Sequence, residues 1–175
     1  MKTLNVLKIA LLISTVTFFT SCDRDDSVED TLTTPHNVDL EVTDITFSVV
    51  DNGNFEGIAT ITGVVTNIGA DDFISSPGQQ AVSLFENNTG LPSSQAIDLV
   101  AEVAFTELGA GESIIVTYSR PWNASSPAEG EFPPMYTVVA NLDPDIQIDG
   151  NDMNNDASAS NNSMSKSGSE INEMF

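Results

Sequence analysis

Residues 58–68, IATITGVVTNI, give the clearest indication of the fold. The stretch is rich in β-branched residues, which pack well on a pleated surface, so it predicts a β-strand. Before it lie the turn-forming residues 51–54 (DNGN) and a segment, residues 38–49, with apolar side chains at alternate positions. The alternation changes phase at Thr43-Asp44, which predicts a β-bulge or a strand that changes sheets.

Further strands are predicted before and after residues 96–108, a segment with two interpretations. Residues 81–85, 113–118 and 136–142 also alternate or are rich in β-branched residues. Residues 96–108 fit both a helical stripe and an alternating strand, and the strand is favoured because every neighbouring segment is a strand. Turns without intervening helices predict an all-β fold, an antiparallel β-sandwich of about seven strands.

The N-terminus has the layout of a secretory signal. Lys2 and Lys8 precede an uncharged apolar stretch, residues 9–19, and Thr20-Ser21 leads to Cys22, the one cysteine of the chain. The stretch is shorter than the roughly 20 residues that a membrane-spanning helix needs. The arrangement resembles the lipobox of bacterial lipoproteins, which implies removal of residues 1–21 and acylation of Cys22. Acyl chains would then attach the protein to a membrane.

Residues 22–37 lack apolar periodicity and predict an acidic, flexible linker. Asp23, Asp25 and Asp26 follow the cysteine closely, which resembles the surface-export signal of Bacteroidetes lipoproteins. The resemblance implies a protein anchored by lipid in the outer membrane and exposed at the cell surface.

The charge excludes whole classes of partner. The 26 acidic residues all follow Ser21, where only Arg24, Arg120 and Lys166 are basic, so the formal charge beyond the signal is −23. Binding of nucleic acid requires clustered Lys and Arg, and attraction to anionic lipid requires the same, so neither is expected.

Three segments and a later residue pair resemble, in order and spacing, the CARDB domain, a cell-adhesion-related Ig-like module of bacteria. They are residues 64–70 (VVTNIGA), 108–116 (LGAGESIIV) and 136–145 (YTVVANLDPD), followed by Asn154-Asn155. The resemblance covers residues 38–160 and implies a seven-stranded Ig-like sandwich with a Greek-key connection and no catalytic apparatus. It also implies a last strand at residues 156–160, although this segment is poor in Val and Ile.

Physical reasoning gives roles to two features of that pattern, a tyrosine and a glycine turn. The hydroxyl of Tyr136, at the start of a strand, is placed to tie the crossover to backbone as a tyrosine corner does. Gly109 and Gly111 bracket a turn that is expected to need positive φ. Residues 161–175 are polar and have little to bury, so they predict a loose C-terminal tail.

The densest acidic group leaves two interpretations open. Five carboxylates lie within 14 residues: Asp143, Asp145, Asp149, Asp152 and Asp156. Their mutual repulsion would be relieved by a hard cation such as Ca²⁺, although the spacing fits a 12-residue calcium loop poorly. The alternative, which is favoured, is turn chemistry of Asp, Asn and Gly between two final strands.

Little in the chain points to catalysis. His36 is the one histidine and precedes the first strand, so a Ser-His or Cys-His pair cannot be built. Trp122 is compatible with stacking on a ligand, although packing in the core is favoured, and Arg120 is expected to form a surface ion pair.

The sequence therefore predicts a protein that is not an enzyme. The leading expectation is a lipid-anchored binding module for a protein or polysaccharide at the cell surface, with no cofactor other than calcium. One alternative is a structural spacer or accessory subunit of an outer-membrane assembly. Another is a carbohydrate-active hydrolase with a carboxylate pair, although no pair is marked by the sequence.

Overall fold

The computed structural model describes residues 36–88 and 97–175. The predictions for the signal peptide, for Cys22 and for the linker as far as residue 35 lie outside the described residues. Within the described ranges, no helix has the length and apolar character needed to cross a bilayer.

Seven of the strands in the described ranges form two larger antiparallel sheets, which confirms the predicted all-β sandwich. In the first sheet the spatial order is β1 (Leu40–Gly53), β2 (Glu56–Asn67) and β7 (Ser113–Asn123). In the second it is β5 (Ile97–Ala104), β4 (Gln80–Asn87), β8 (Met135–Leu142) and β9 (Ser163–Ser167). The chain changes sheets between β2 and β4, between β5 and β7, and between β7 and β8.

Short elements close the ends of the sandwich. Two strands, β3 (Phe73–Ile74) and β6 (Glu107–Leu108), pair with each other. A one-turn π-helix (Pro127–Glu131) connects β7 to β8, and two 3₁₀ helices (Pro144–Ile148 and Asp152–Asn154) follow β8. The four-residue helix α1 (Ser169–Asn172) follows β9.

Alternation along β2 explains how the sheets meet. Ala59, Ile61 and Val65 are fully buried, whereas the residues between them lie on the outer face. Gly63 shares the buried side, and a Cβ there would lie 2.3 Å from Cγ2 of Val138 in the facing sheet. The sheets therefore approach so closely at this point that only glycine fits without displacing β8.

Two local predictions are settled by the register. The ladder between β1 and β2 shifts between Val42 and Asp44, so the predicted bulge at Thr43-Asp44 is confirmed. Residues 97–104 form β5 and pair with β4, and Glu107–Leu108 forms β6. The helical alternative for residues 96–108 is therefore wrong, because pairing with β4 outweighs the helical spacing of its apolar residues.

The prediction of a loose tail after residue 160 is also wrong. β9 pairs with β8 across five residue pairs, and Ile171 of α1 is fully buried in the core. The last strand lies at Ser163–Ser167 and not at residues 156–160, where Asp156 forms only an isolated bridge with Val38. The sequence does not indicate this strand, because β9 is a serine-rich edge strand with little apolar signal of its own.

We predict that Ile171→Ala lowers the free energy of unfolding by about 2–5 kcal/mol, because the change removes a fully buried side chain and leaves a cavity. Urea denaturation of the variant and the parent measures the difference. The matched control is Met174→Ala, since Met174 is 43% exposed and its truncation is expected to change stability by less than about 0.5 kcal/mol. Equally small effects of both changes would support the prediction that residues 161–175 form a loose tail.

Candidate functional site at Arg120

Arg120 lies between the two sheets at the end of the sandwich where β7 finishes. It sits on the inward side of β7, and its side chain is 22% exposed. Nη1 donates to Oε1 of Glu86 at 2.8 Å, and Nη2 donates to Oε1 of Glu129 at 2.6 Å. Although burial disfavours the cation, the hydrogen bond and charge of Glu86 outweigh this and raise the pKa of Arg120. Arg120 is therefore part of a largely buried network and does not form the surface ion pair predicted from sequence.

Tyr136 provides the hydrogen bond to the second carboxylate oxygen of Glu86. Its hydroxyl donates to Oε2 of Glu86 at 2.8 Å, and both residues are buried. The predicted tyrosine corner is thus corrected, because the hydroxyl bonds a carboxylate of the neighbouring strand and not the backbone. Burial and the adjacent Glu86 carboxylate raise the pKa of Tyr136 far above its ordinary value.

Glu129 is positioned by the turn between β7 and β8. Ser126 caps the turn, since its hydroxyl accepts from the amide of Glu129 and also contacts Oε2 of that residue. Pro127 follows the cap, where a fixed φ favours a helical start. The sequence signal for this turn is Ser126-Pro-Ala-Glu129, which has the spacing of a capping box.

Trp122 forms the floor of the cluster. It is 2% exposed, its ring centroid lies 5.5 Å from the guanidinium carbon of Arg120, and its Nε1 donates to Oδ1 of Asn172 at 2.8 Å. The favoured prediction of core packing for Trp122 is confirmed, and stacking on a ligand is not available to a buried ring.

An open depression of about 870 Å³ lies over this cluster. We call it the Arg120 depression. Besides Glu86, Arg120 and Glu129, the side chains around it include Asn52, Glu56, Tyr118 and Asn123. Of these, Asn123 donates to Glu56 at 3.1 Å. The depression thus presents amide and carboxylate groups to solvent above a cluster in which one guanidinium faces two carboxylates.

The cluster is poorly arranged for acid–base chemistry. Both oxygens of Glu86 are engaged, one by Arg120 and the other by Tyr136. A general acid or base needs a free position within hydrogen-bonding reach of the substrate. His36 offers no substitute, because its Nδ1 lies 3.8 Å from the Asp71 carboxylate at the start of the described chain.

The predicted calcium segment is organised as a series of turns. Asp143 accepts from the amide of Asp145, and Asp152 accepts from the side chain of Asn155. Asp156 accepts from the amide of Leu40 and from Asn162. These contacts place at least three of the five carboxylates in hydrogen bonds that hold the chain itself.

Asp149 is the most fully engaged of the five. It accepts from Asn154, the amide of Asn151 and Gln79. The hydrogen bond from Asn154, followed by that from the Asn151 backbone, lowers the pKa of Asp149. Within residues 36–88 and 97–175, no three or more His, Cys, Asp or Glu side chains are grouped so that they could hold a metal ion. Calcium binding stays a prediction.

The glycine turn behaves as predicted at one of its two positions. Gly111 has φ of +77°, which favours glycine, and its amide donates to the carbonyl of Asn67. Gly109 does not have positive φ, so that part of the prediction is wrong. A Cβ at Gly109 would instead approach the carboxylate of Glu112, which accepts from the Gly109 amide.

Comparison with known proteins gives only weak likenesses. No protein-family model and no curated protein matches the chain. Among solved structures, β-glucosidase 3B from Thermotoga neapolitana in complex with glucose is 15% identical, with a TM-score of 0.35. The match covers 75% of this chain and 16% of the enzyme. A β-glucosidase from Kluyveromyces marxianus is 12% identical with a TM-score of 0.33, over 75% of this chain and 14% of that enzyme. These values are too low to assign a shared activity.

We predict that Tyr136→Phe lowers the free energy of unfolding by about 1–3 kcal/mol at neutral pH, because it leaves a buried oxygen of Glu86 without its donor. Because folding raises the pKa of Tyr136, the protonated hydroxyl contributes its full share to the free energy of unfolding below pH 10.0. Above that pH the tyrosine ionises in the unfolded state, and this contribution is progressively lost. The parent should therefore lose stability above about pH 10 more steeply than the variant. Urea denaturation at several pH values measures both effects.

The control for this change is Tyr118→Phe. Tyr118 lines the Arg120 depression, but its hydroxyl has no hydrogen-bond partner among the described residues. We expect a change of less than about 0.5 kcal/mol. If the two tyrosine variants are equally stable at neutral pH, the hydroxyl of Tyr136 is not a structural donor.

A calcium titration tests the acidic segment. Because its carboxylates already accept hydrogen bonds within the turns, we expect millimolar CaCl₂ to leave the melting temperature where NaCl of the same ionic strength leaves it. Differential scanning calorimetry makes the comparison. A rise specific to Ca²⁺ that disappears in Asp149→Asn would establish the calcium interpretation.

Proposed function

We propose that this protein is a non-catalytic binding module held at the cell surface of a bacterium by lipid on Cys22. The observation that carries the proposal is that the polar side chains around Arg120 form hydrogen bonds with one another. Arg120, Glu86, Glu129 and Tyr136 bond one another, so the most elaborate polar group of the described chain supports the fold instead of offering a reactive centre. Function then belongs to the outer faces, loops and edges of the sandwich.

The N-terminal sequence supports the location. A basic front, a short apolar stretch and Cys22 resemble a lipoprotein signal, and the acidic residues after the cysteine resemble a surface-export signal. Each buried CH₂ of an acyl chain contributes about 0.8 kcal/mol, so two or more chains give durable anchoring. The high negative charge of the rest of the protein supplies no attraction to anionic lipid, which leaves the acyl chains as the anchor.

The edge strand β5 favours a second function, that of an accessory subunit in an outer-membrane assembly. Among the described residues β5 pairs only with β4, and its side chains Ile97, Leu99 and Val103 are 62%, 53% and 36% exposed. An open strand edge with apolar side chains can accept an extended segment of another protein. One envelope protein recovered with the chain at equal stoichiometry would favour this function over adhesion.

We predict that the full chain, expressed in a Gram-negative bacterium, enters the detergent phase on Triton X-114 partitioning and is cleaved by protease on intact cells. Cys22→Ser should move it to the aqueous phase, because the thiol that takes the acyl chains is gone. Mass spectrometry of the N-terminal peptide provides the chemical confirmation. Recovery of the parent from the medium with an unmodified thiol at Cys22 would contradict the proposal.

A further inference from the structure

The outer face of the first sheet carries hydroxyl side chains in aligned rows. The register of β1, β2 and β7 places one row of three threonines and one row of two serines and a threonine side by side across the strands. These residues are Thr46, Thr62 and Thr117 in the first row, and Ser48, Thr60 and Ser119 in the second. We call this surface the hydroxyl face. All six side chains are on the solvent side of the sheet and are exposed or half-buried.

Hydrogen bonds between strands position two of these hydroxyls and a further pair beside the face. Oγ1 of Thr60 lies 2.8 Å from Oγ of Ser119, and Oγ1 of Thr66 lies 2.8 Å from Oγ of Ser113. A hydroxyl has one donor and two acceptor positions. Each pair that shares one hydrogen bond therefore keeps acceptor and donor capacity for a ligand lying above the sheet.

Apolar side chains separate the hydroxyl rows. Val64 and Ile115 lie opposite each other between the Thr62–Thr117 row and the Thr66–Ser113 pair, and Ile115 is 59% exposed. Ile58, 38% exposed, borders the other side of the hydroxyl face. The surface thus alternates hydrogen-bonding and apolar strips at the spacing of residues on one side of a strand, about 7 Å.

The six side chains of the hydroxyl face are uncharged, although the chain as a whole has a formal charge of −21 and Glu41 and Asp44 of β1 lie beyond its edge, opposite Thr66 and Val64. The outward residues of β2 from Thr60 to Thr66 and of β7 from Ser113 to Ser119 include no Asp, Glu, Lys or Arg. The six side chains offer a cationic partner no carboxylate with which to pair, and an anionic partner would be repelled by the rest of the protein. The complementary partner is a neutral molecule.

The size and shape of the hydroxyl face further restrict the class of partner. Three strands over the length of β2 from Ile58 to Thr66 present on the order of 400 Å². A stable protein–protein interface takes about 800 Å² from each partner, so a second copy of this highly charged chain is not accommodated. The sheet twist, roughly 20–25° between neighbouring strands, prevents a match to a planar crystalline surface but not to a flexible chain.

We propose that the hydroxyl face binds an uncharged polysaccharide chain. This proposal rests on the proposed function, since it names the partner class of the surface module. The sugar hydroxyls exchange hydrogen bonds with the threonine and serine rows, and the C–H faces of the sugar rings pack on Val64 and Ile115. Because the contact involves no ion pair, binding persists at high salt.

Affinity electrophoresis on native gels tests the proposal with the full chain in a mild uncharged detergent. The gels contain one of four neutral polysaccharides, namely laminarin, mannan, dextran or hydroxyethyl cellulose, or the anionic alginate. We expect retardation by at least one neutral polysaccharide, unchanged at 0.5 M NaCl, and none by alginate. Retardation by none of the four neutral polysaccharides would overturn the proposal.

The deciding variant is Thr62→Val combined with Thr117→Val, which keeps the branched shape and removes two neighbouring hydroxyls. We expect the dissociation constant to rise at least about tenfold. The matched control is Thr137→Val, because Thr137 forms a similar hydroxyl pair with Ser165 at 2.8 Å on the outer face of the other sheet. It should bind as the parent does.

Other results separate this proposal from the proposed function. If the double variant binds a polysaccharide like the parent, the hydroxyl face is not the site, although the module still binds at the cell surface. If a stoichiometric protein partner is recovered and no polysaccharide binds, the surface function stands and the polysaccharide proposal fails. If the chain is free in the medium with an unmodified Cys22 yet retarded in the gel, the anchoring fails and the polysaccharide site stands.

Discussion

The fork-shaped guanidinium of Arg120 is the contact on which the organisation of one end of the sandwich depends. It joins β7 of the first sheet to Glu86 of the second, and it joins both to Glu129 of the turn between β7 and β8. Apolar packing between the sheets is strong but non-directional, whereas the two guanidinium bonds, one to each carboxylate, require a particular geometry. The pair is mostly shielded from water, so removal of the cation would leave Glu86 as a buried and uncompensated charge. Arg120 is one of only five lysine and arginine residues in the chain, and it is used to hold this junction.

The C-terminal residues are held by the same cluster. Asn172 accepts from the indole of Trp122 and donates to the carbonyl of Glu129, so α1 is fixed to two members of the group around Arg120. Ile171 beside it enters the core. Lys166 of β9 adds a second connection, because its ammonium group donates to the carbonyl of Ile45 on β1 at 3.0 Å. A segment with few apolar residues is thereby ordered through amide and ammonium contacts to elements that fold around it.

Local sequence patterns predicted what local physics determines. The β-branched run of β2, the phase change at Thr43 and the glycine at position 111 each have a cause within a few residues, and the structure bears them out. Long-range partners were not predictable in this way. Nothing near Glu86 in the sequence indicates that it will meet Arg120, 34 positions away, or Tyr136, 50 positions away. The tail was misjudged for the same reason, since the pairing of β9 depends on β8 and not on its own composition.

The distribution of charge restricts which partners can approach this protein. A protein with a formal charge of −21 repels copies of itself and most anionic neighbours, so any contact must occur where that charge is absent or neutralised. One place in the described chain where that charge is absent is formed by the outward residues of β2 from Thr60 to Thr66 and of β7 from Ser113 to Ser119. Its hydroxyls face solvent and keep donor and acceptor capacity beyond the bonds of Thr60 with Ser119 and of Thr66 with Ser113. Because its hydroxyls are short and β-branched for the most part, little conformational entropy is lost when they bind. Under the proposed function, an uncharged strip on a strongly acidic body favours neutral partners, because the surrounding carboxylates repel anionic ones.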